Sequence, residues 1–216
     1  MTKSFQLLDR VTRNPWNILD EFERTVAEFY GAKYAVSVDC CTHAVELCLR
    51  LIKPDWVSCP SQTYISIPFT FEKLNLDWDF ENYNWTNYYF IGNTPIIDAA
   101  VYWKQGGYIP NTFMCLSFQF QKHLSLAKGG MILTDDFYAY EELKKMSCDG
   151  RVRTSPWMSQ DISTVGYHYY MTPEVAQLGI DKFEEAVKKE PRIWTQSDYP
   201  YLPKLPVFKN KNVRQS

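Results

Sequence analysis

Short apolar, β-rich runs alternating with segments of helical hydrophobic spacing predict an α/β layered domain with a mostly parallel sheet. Two observations carry this. Tyr34 to Val38 reads YAVSV and leads into Ala44, Val45, Cys48, Leu49 and Ile52 at helical period, the signature of a strand, a tight turn and a helix. Comparable short runs then recur along the chain, with helical patterns before and after them.

In order, Ile18, Leu19, Phe22, Val26 and Phe29 predict a helix over 17–30 that Gly31 ends. The strand at 34–38 and the helix beginning near Thr42, read as its cap, follow. Further strands are expected at 56–59, 77–80, 95–98, 113–118 and 131–134. Helices are expected at 136–146 and 173–189, the second with Thr172 capping and Pro173 at its first position.

Composition limits the function. The 216 residues are 45% hydrophobic and 22% charged, which excludes disorder of the whole chain. Net charge −2 disfavours a nucleic-acid binder acting by bulk electrostatics. No run of 18 apolar residues exists, and MTKSFQLLDRVTRNP lacks the apolar core of a leader, so a cytoplasmic protein away from membranes is expected. Cysteines 40, 41, 48, 59, 115 and 148 sit mostly in apolar stretches and read as reduced, buried thiols. Cys40-Cys41-Thr42-His43 does not match paired zinc-ligand spacing, so no metal is expected. Neither His43 nor His123 accompanies a nucleophile elbow, which excludes hydrolysis by a triad.

After Lys188 the character changes. Residues 188–216 hold seven basic and two acidic side chains and four prolines, leaving the body near −7. The expected division is a domain over 1–190 and an extended basic, aromatic tail over 191–216, which Trp194, Tyr199, Tyr201 and Phe208 favour docking onto the acidic body or a neighbouring subunit.

Four segments carry chemistry together. Val38 to Ala44 brings a strand through a small-residue turn to a helix N-terminus, where free N–H groups and the Thr42 hydroxyl suit a phosphate. Thr63-Tyr64 places an aromatic beyond a strand end. Asp98 closes Pro95-Ile96-Ile97 at a strand's carboxyl edge, where open α/β sheets bind ligands. Ser117-Phe118-Gln119-Phe120-Gln121-Lys122, followed by Gly129-Gly130, forms a loop that can hold an amine at the sheet edge, with Lys128 as a rival.

In order and spacing these pieces resemble the DegT/StrS family of pyridoxal-phosphate (PLP) aminotransferases over residues 16 to 190. The resemblance implies a three-layer α/β/α fold with a mostly parallel sheet, the large domain of a fold type I transferase, truncated before the C-terminal small domain. It implies that Lys122 forms the Schiff base with PLP and Asp98 holds the pyridine nitrogen protonated. Tyr64 would stack on the ring, Cys41, Thr42 and Ser117 would bind the phosphate, and His168 would stand where relatives place a cross-subunit Asn. A homodimer, an amino-acid donor and a keto sugar, nucleotide-linked, complete the implied picture. Departures are Cys41 for a Gly, Val101 for a Gln or His, and His168 and Tyr170 for an Asn and an Arg. The alternative they leave is a PLP-fold binding protein or partner subunit with reduced turnover.

Overall fold

The computed structural model describes residues 15–215; residues 1–14, which bear on the reading of an absent leader, lie outside them. The helices are α1 (Pro15–Tyr30), α2 (Cys41–Ile52), α3 (Ser66–Lys73), α4 (Phe137–Ser147) and α5 (Pro173–Lys188). The strands are β1 (Tyr34–Val38), β2 (Trp56–Pro60), β3 (Asp77–Asn82), β4 (Tyr89–Phe90), β5 (Ile96–Asp98), β6 (Phe113–Ser117), β7 (Gly130–Thr134) and β8 (Val213–Gln215). Five strands form one sheet in the order β1-β7-β6-β5-β4, and β2-β3-β8 form a second.

The sheets are mostly parallel. Strands β1, β5 and β6 point one way, as do β2, β3 and β8 among themselves, while β7 and β4 oppose their neighbours. Connection length explains the exceptions. A parallel neighbour needs a crossover of a dozen or more residues, usually a helix. No helix separates β6 from β7, or β4 from β5, so each pair closes directly and antiparallel.

Period-two burial makes the layers. Ala35, Ile97, Met114, Leu116, Met131 and Leu133 face α1 and α5, packing with Leu19, Phe22, Val26 and Ala176. Their alternates Val36, Ile96, Cys115 and Ile132 face the opposite side, packing with Val45 and Cys48 of α2 and Leu143 of α4. The result is the three-layer α/β/α arrangement.

Helices and strands expected from the sequence form within one or two residues of their predicted bounds. Two caps differ. The N-cap of α2 is Cys40 rather than Thr42, and it makes no side-chain capping bond. Thr172 is the N-cap of α5, with Pro173 next, but its side chain makes no capping bond either. Helix α3 and strands β4 and β8 were not expected. Among the described residues no helix is long and apolar enough to cross a membrane, and all six cysteines are free thiols.

The basic segment docks. Residues 191–215 run back along the body through short 3-10 turns, burying Leu202 and Phe208. Phe208 packs against Phe69, Trp78 and Phe80. Lys211 pairs with Glu72 at 2.7 Å and Arg214 with Asp79 at 2.7 Å, so cations of the tail land on acids of the body.

Candidate active site

Asp98 ends β5 and is buried, with two hydrogen bonds that fix its plane. The Tyr89 hydroxyl donates to Oδ2 at 2.5 Å and the Ala100 N–H to Oδ1 at 3.0 Å. Burial pushes the carboxyl up from its ordinary range, against the Tyr89 bond, the Ala100 N–H and the charge of Lys122. Lys122 therefore lies within electrostatic reach of Asp98, and its charge also acts on the buried Cys41 thiol.

The β6–β7 connection positions Lys122. Ser117 closes β6, the Lys122 N–H donates to the Gln119 carbonyl at 2.8 Å, and Gly130 opens β7 opposite Ser117. Ser117, Lys122, Ala99 and Ala100 share the lining of one small cavity of about 10 Å³. Gly130 is required where it stands: an added Cβ would meet the Cys40–Cys41 peptide. That contact presses β7 against the start of α2.

Two helix starts meet beside this group. Thr42, one residue inside α2, hydrogen-bonds Ser66, the first residue of α3, hydroxyl to hydroxyl at 2.8 Å. Their N-terminal dipole ends, α2's without a side-chain cap, make an electropositive rim. Tyr64 precedes α3 and is 61% exposed, so its ring projects toward solvent. Cys41 donates its thiol to the Cys115 carbonyl at 3.4 Å, and burial raises it well above the ordinary thiol range.

The structure thus brings Cys41, Asp98, Ser117 and Lys122 together, with Thr42 and Tyr64 at the adjoining helix starts. His168 lies apart from this group within the chain. It is exposed, with Nδ1 3.1 Å from Asp149 and its ring 4.7 Å from Tyr170. The rival Lys128 donates to Asp39 Oδ2 at 2.8 Å, committing its ammonium to an ion pair. Asp39 also holds His43 Nδ1 at 2.5 Å, and with Cys40 these side chains gather within 4.8 Å of one another. His123 Nε2 lies 2.7 Å from the Ala186 carbonyl.

Three site residues escaped sequence reasoning as site residues. Tyr89 is one. The others come from the tail: the Trp194 ring stands 5.6 Å from the Lys122 ammonium, and Tyr199 lies within electrostatic reach of Asp98 and Cys41. Residues 194–199 are held there by the Asn87 N–H to the Trp194 carbonyl at 2.8 Å, the Trp194 N–H to Asn87 Oδ1 at 2.9 Å and Gln62 Nε2 to the Tyr199 carbonyl at 3.0 Å. Their aromatic character was the one available signal.

Comparison with known proteins bears on the fold and the family. By structure the chain is similar to CalS13, a sugar aminotransferase from Micromonospora echinospora, with TM-score 0.68, 14% identity, and coverage of 87% of this chain and 67% of that one. It is similar to AtS13 from Actinomadura melliaura, with TM-score 0.68, 16% identity, and coverage of 85% and 65%. A third is the GDP-4-keto-6-deoxymannose-3-dehydratase ColD, with TM-score 0.64, 16% identity, and coverage of 85% and 65%. At these identities the likeness speaks for the fold. The chain spans 65–67% of the length of these three proteins. Comparison with curated proteins by sequence gave no match. The family model of the DegT/DnrJ/EryC1/StrS aminotransferases matches residues 6–73 and 103–195, passing over 74–102. That match takes in Thr42, Tyr64, Ser117 and Lys122 and covers more than half of the sequence, so the chain belongs to the DegT/DnrJ/EryC1/StrS aminotransferase family.

Proposed function

We propose that the chain binds pyridoxal 5'-phosphate at the face where Asp98, Lys122 and the α2 N-terminus converge, and transfers an amino group between an amino acid and a keto sugar, nucleotide-linked. The observation that carries this reading is the convergence itself. A buried carboxylate at a strand end, a lysine within its electrostatic reach and an electropositive helix start come from three distant segments of a chain in a PLP-dependent family.

The donor set suits that cofactor. When bound, PLP supplies an electron sink that stabilises the carbanion left when an amino acid loses its α proton. Asp98 is suited to keep a proton on the ring nitrogen, since a cation there restores the solvation that burial removed. Lys122 would hold the aldehyde end and, once released, would carry the α proton as a general base. Thr42, Ser117 and the N–H groups at the start of α2, that of Cys41 among them, would receive the phosphate. Tyr64 would cover a ring face, and the Trp194 ring stands over the Lys122 ammonium. Lys128 is unsuited because Asp39 holds it.

Two alternatives are weaker. Dehydration is the chemistry printed for ColD, but the lysine position here carries Lys122, which favours amino transfer. Nothing in the comparisons favours a turnover-free scaffold. The expected assembly is a homodimer with His168 near the partner's phosphate site.

Borohydride reduction of the PLP-loaded chain followed by peptide mapping tests the reading. The expected label is on Lys122, and Lys122→Ala abolishes it. Label on Lys128, or none, would sink the assignment. Sedimentation of the same loaded sample reads the assembly, and a monomer removes the dimer.

A further inference from the structure

Tyr89 belongs to the stretch that the family match passes over, yet its hydroxyl makes the shorter of the two hydrogen bonds on Asp98. It stands opposite Asp98 in the β4–β5 register and is 4% exposed. Its ring is braced by Trp85, centroids 5.1 Å apart. Behind it, the hydroxyls of Thr63 and Tyr89 hydrogen-bond, and Thr63 is buried as well. An ionised carboxylate only accepts, so the single Tyr89 proton points to Asp98 and Thr63 must donate to Tyr89. The chain of donors is directional: Thr63 to Tyr89 to Asp98.

We propose that Tyr89, with Thr63 behind it, is a positioning residue of the cofactor site, holding the Asp98 carboxylate oriented so that its remaining lone pairs meet the ring nitrogen of the cofactor. The inference rests on the PLP reading above. A carboxylate has about four acceptor positions; Tyr89 and Ala100 occupy one on each oxygen, which fixes the plane and leaves acceptor capacity for a ligand. Burial alone would drive Asp98 toward its neutral form, and the Tyr89 bond is foremost among the influences that oppose it. Lys122 is the cation facing Asp98. The phenols of Tyr83, Tyr89 and Tyr199 also face it. So do the thiols of Cys41, Cys59 and Cys115, all raised by burial.

The test follows the Asp98 carboxyl carbon by NMR across pH in the full chain without cofactor, assigned with Asp98→Asn, and the absorbance–pH transition of the PLP-loaded chain. Tyr89→Phe keeps the ring and removes the donor. It is expected to raise the Asp98 midpoint by about one to two pH units, the size supported by a hydrogen bond to a charged group. It should move the absorbance transition and weaken PLP binding about tenfold. Thr63→Val leaves Tyr89 in place and is expected to move the midpoint the same way by less; it decides the matter should Tyr89→Phe not fold. If the unaltered chain takes up no PLP, the cofactor reading fails and this inference with it. If it takes up PLP while neither variant moves the Asp98 midpoint, the inference alone is overturned. A loss of thermal stability without a midpoint shift marks Tyr89 as structural and also overturns it.

Discussion

His43 shows how one side chain can make the stability of the fold pH-sensitive. Its ring stacks on Tyr169, 3.6 Å between centroids and 7° apart, and its Nδ1 is held by Asp39. Burial works against its charge, but the Asp39 bond prevails and lifts it from an ordinary 6.5 to about 9. Asp39 moves the other way: despite burial, its bonds to His43 and Lys128 lower it below 3.8. A raised histidine stabilises fully below its unfolded value and loses that contribution as pH climbs through its folded one. Stability to urea should therefore fall between pH 6.5 and about 9. His43→Gln should flatten that fall, and a wild-type-to-variant difference constant across the range would remove His43 as its source. The places of Asp98 at a strand's end and Lys122 in the loop after a strand were legible in the sequence because short apolar runs mark the strands that lead to them. Tyr89 was not, since its partner Thr63 is 26 positions away and β4 is two residues long, too short to show a period.

Among the elements, the start of α2 depends on what β7 allows. Gly130 lies directly against the Cys40–Cys41 peptide, so the second glycine of the pair sets how closely strand and helix start approach. Gly130→Ala is expected to cost about 1–3 kcal/mol, the range for overpacking a tight contact. It should also weaken PLP binding, because the relief available is to move the helix start. Thermal unfolding and a PLP titration check both, and an unchanged melting temperature would show that the contact yields freely. Strands β1, β6 and β7 were readable because buried strands appear as short apolar runs. Helix α3 was not. Its sequence SIPFTFEK mixes β-branched, aromatic and proline residues, and the helix is eight residues held by burial of Ile67 and Phe71 rather than by propensity. Strand β8 exists through its register with Phe80 to Asn82 of β3, information that the local sequence VRQ does not carry.

Across the molecule, the tail after Lys188 has two jobs that separate experimentally. Leu202 and Phe208 complete the core beneath β3, whereas Trp194 and Tyr199 stand at the site. Cutting the chain at Lys188 removes both and confounds stability with chemistry, since loss of a buried Phe alone costs about 3–5 kcal/mol. Trp194→Ala leaves the core residues in place. On the proposed function, PLP should stay bound, the half-reaction with an amino-acid donor should persist, and the half-reaction with a keto sugar should slow at least about tenfold, since a misplaced substrate loses about a hundredfold per ångström. Single-turnover absorbance separates the halves, and an unchanged second half would show that Trp194 does not position the substrate. The docked tail also agrees with its charge, Lys211 and Arg214 meeting Glu72 and Asp79.

The order of synthesis gives that arrangement a further consequence. Asp79 and Arg214 pair across 135 positions, and Phe208 closes on Trp78 and Phe80 across a similar span. At about 5–20 residues per second, a nascent chain spends on the order of ten seconds with β3 made and its cover still unmade. Lys122 and Asp98 emerge in that interval without Trp194 above them. During translation, Trp78 and Phe80 therefore wait without Phe208 against them, and a pause before Phe208 would lengthen that interval.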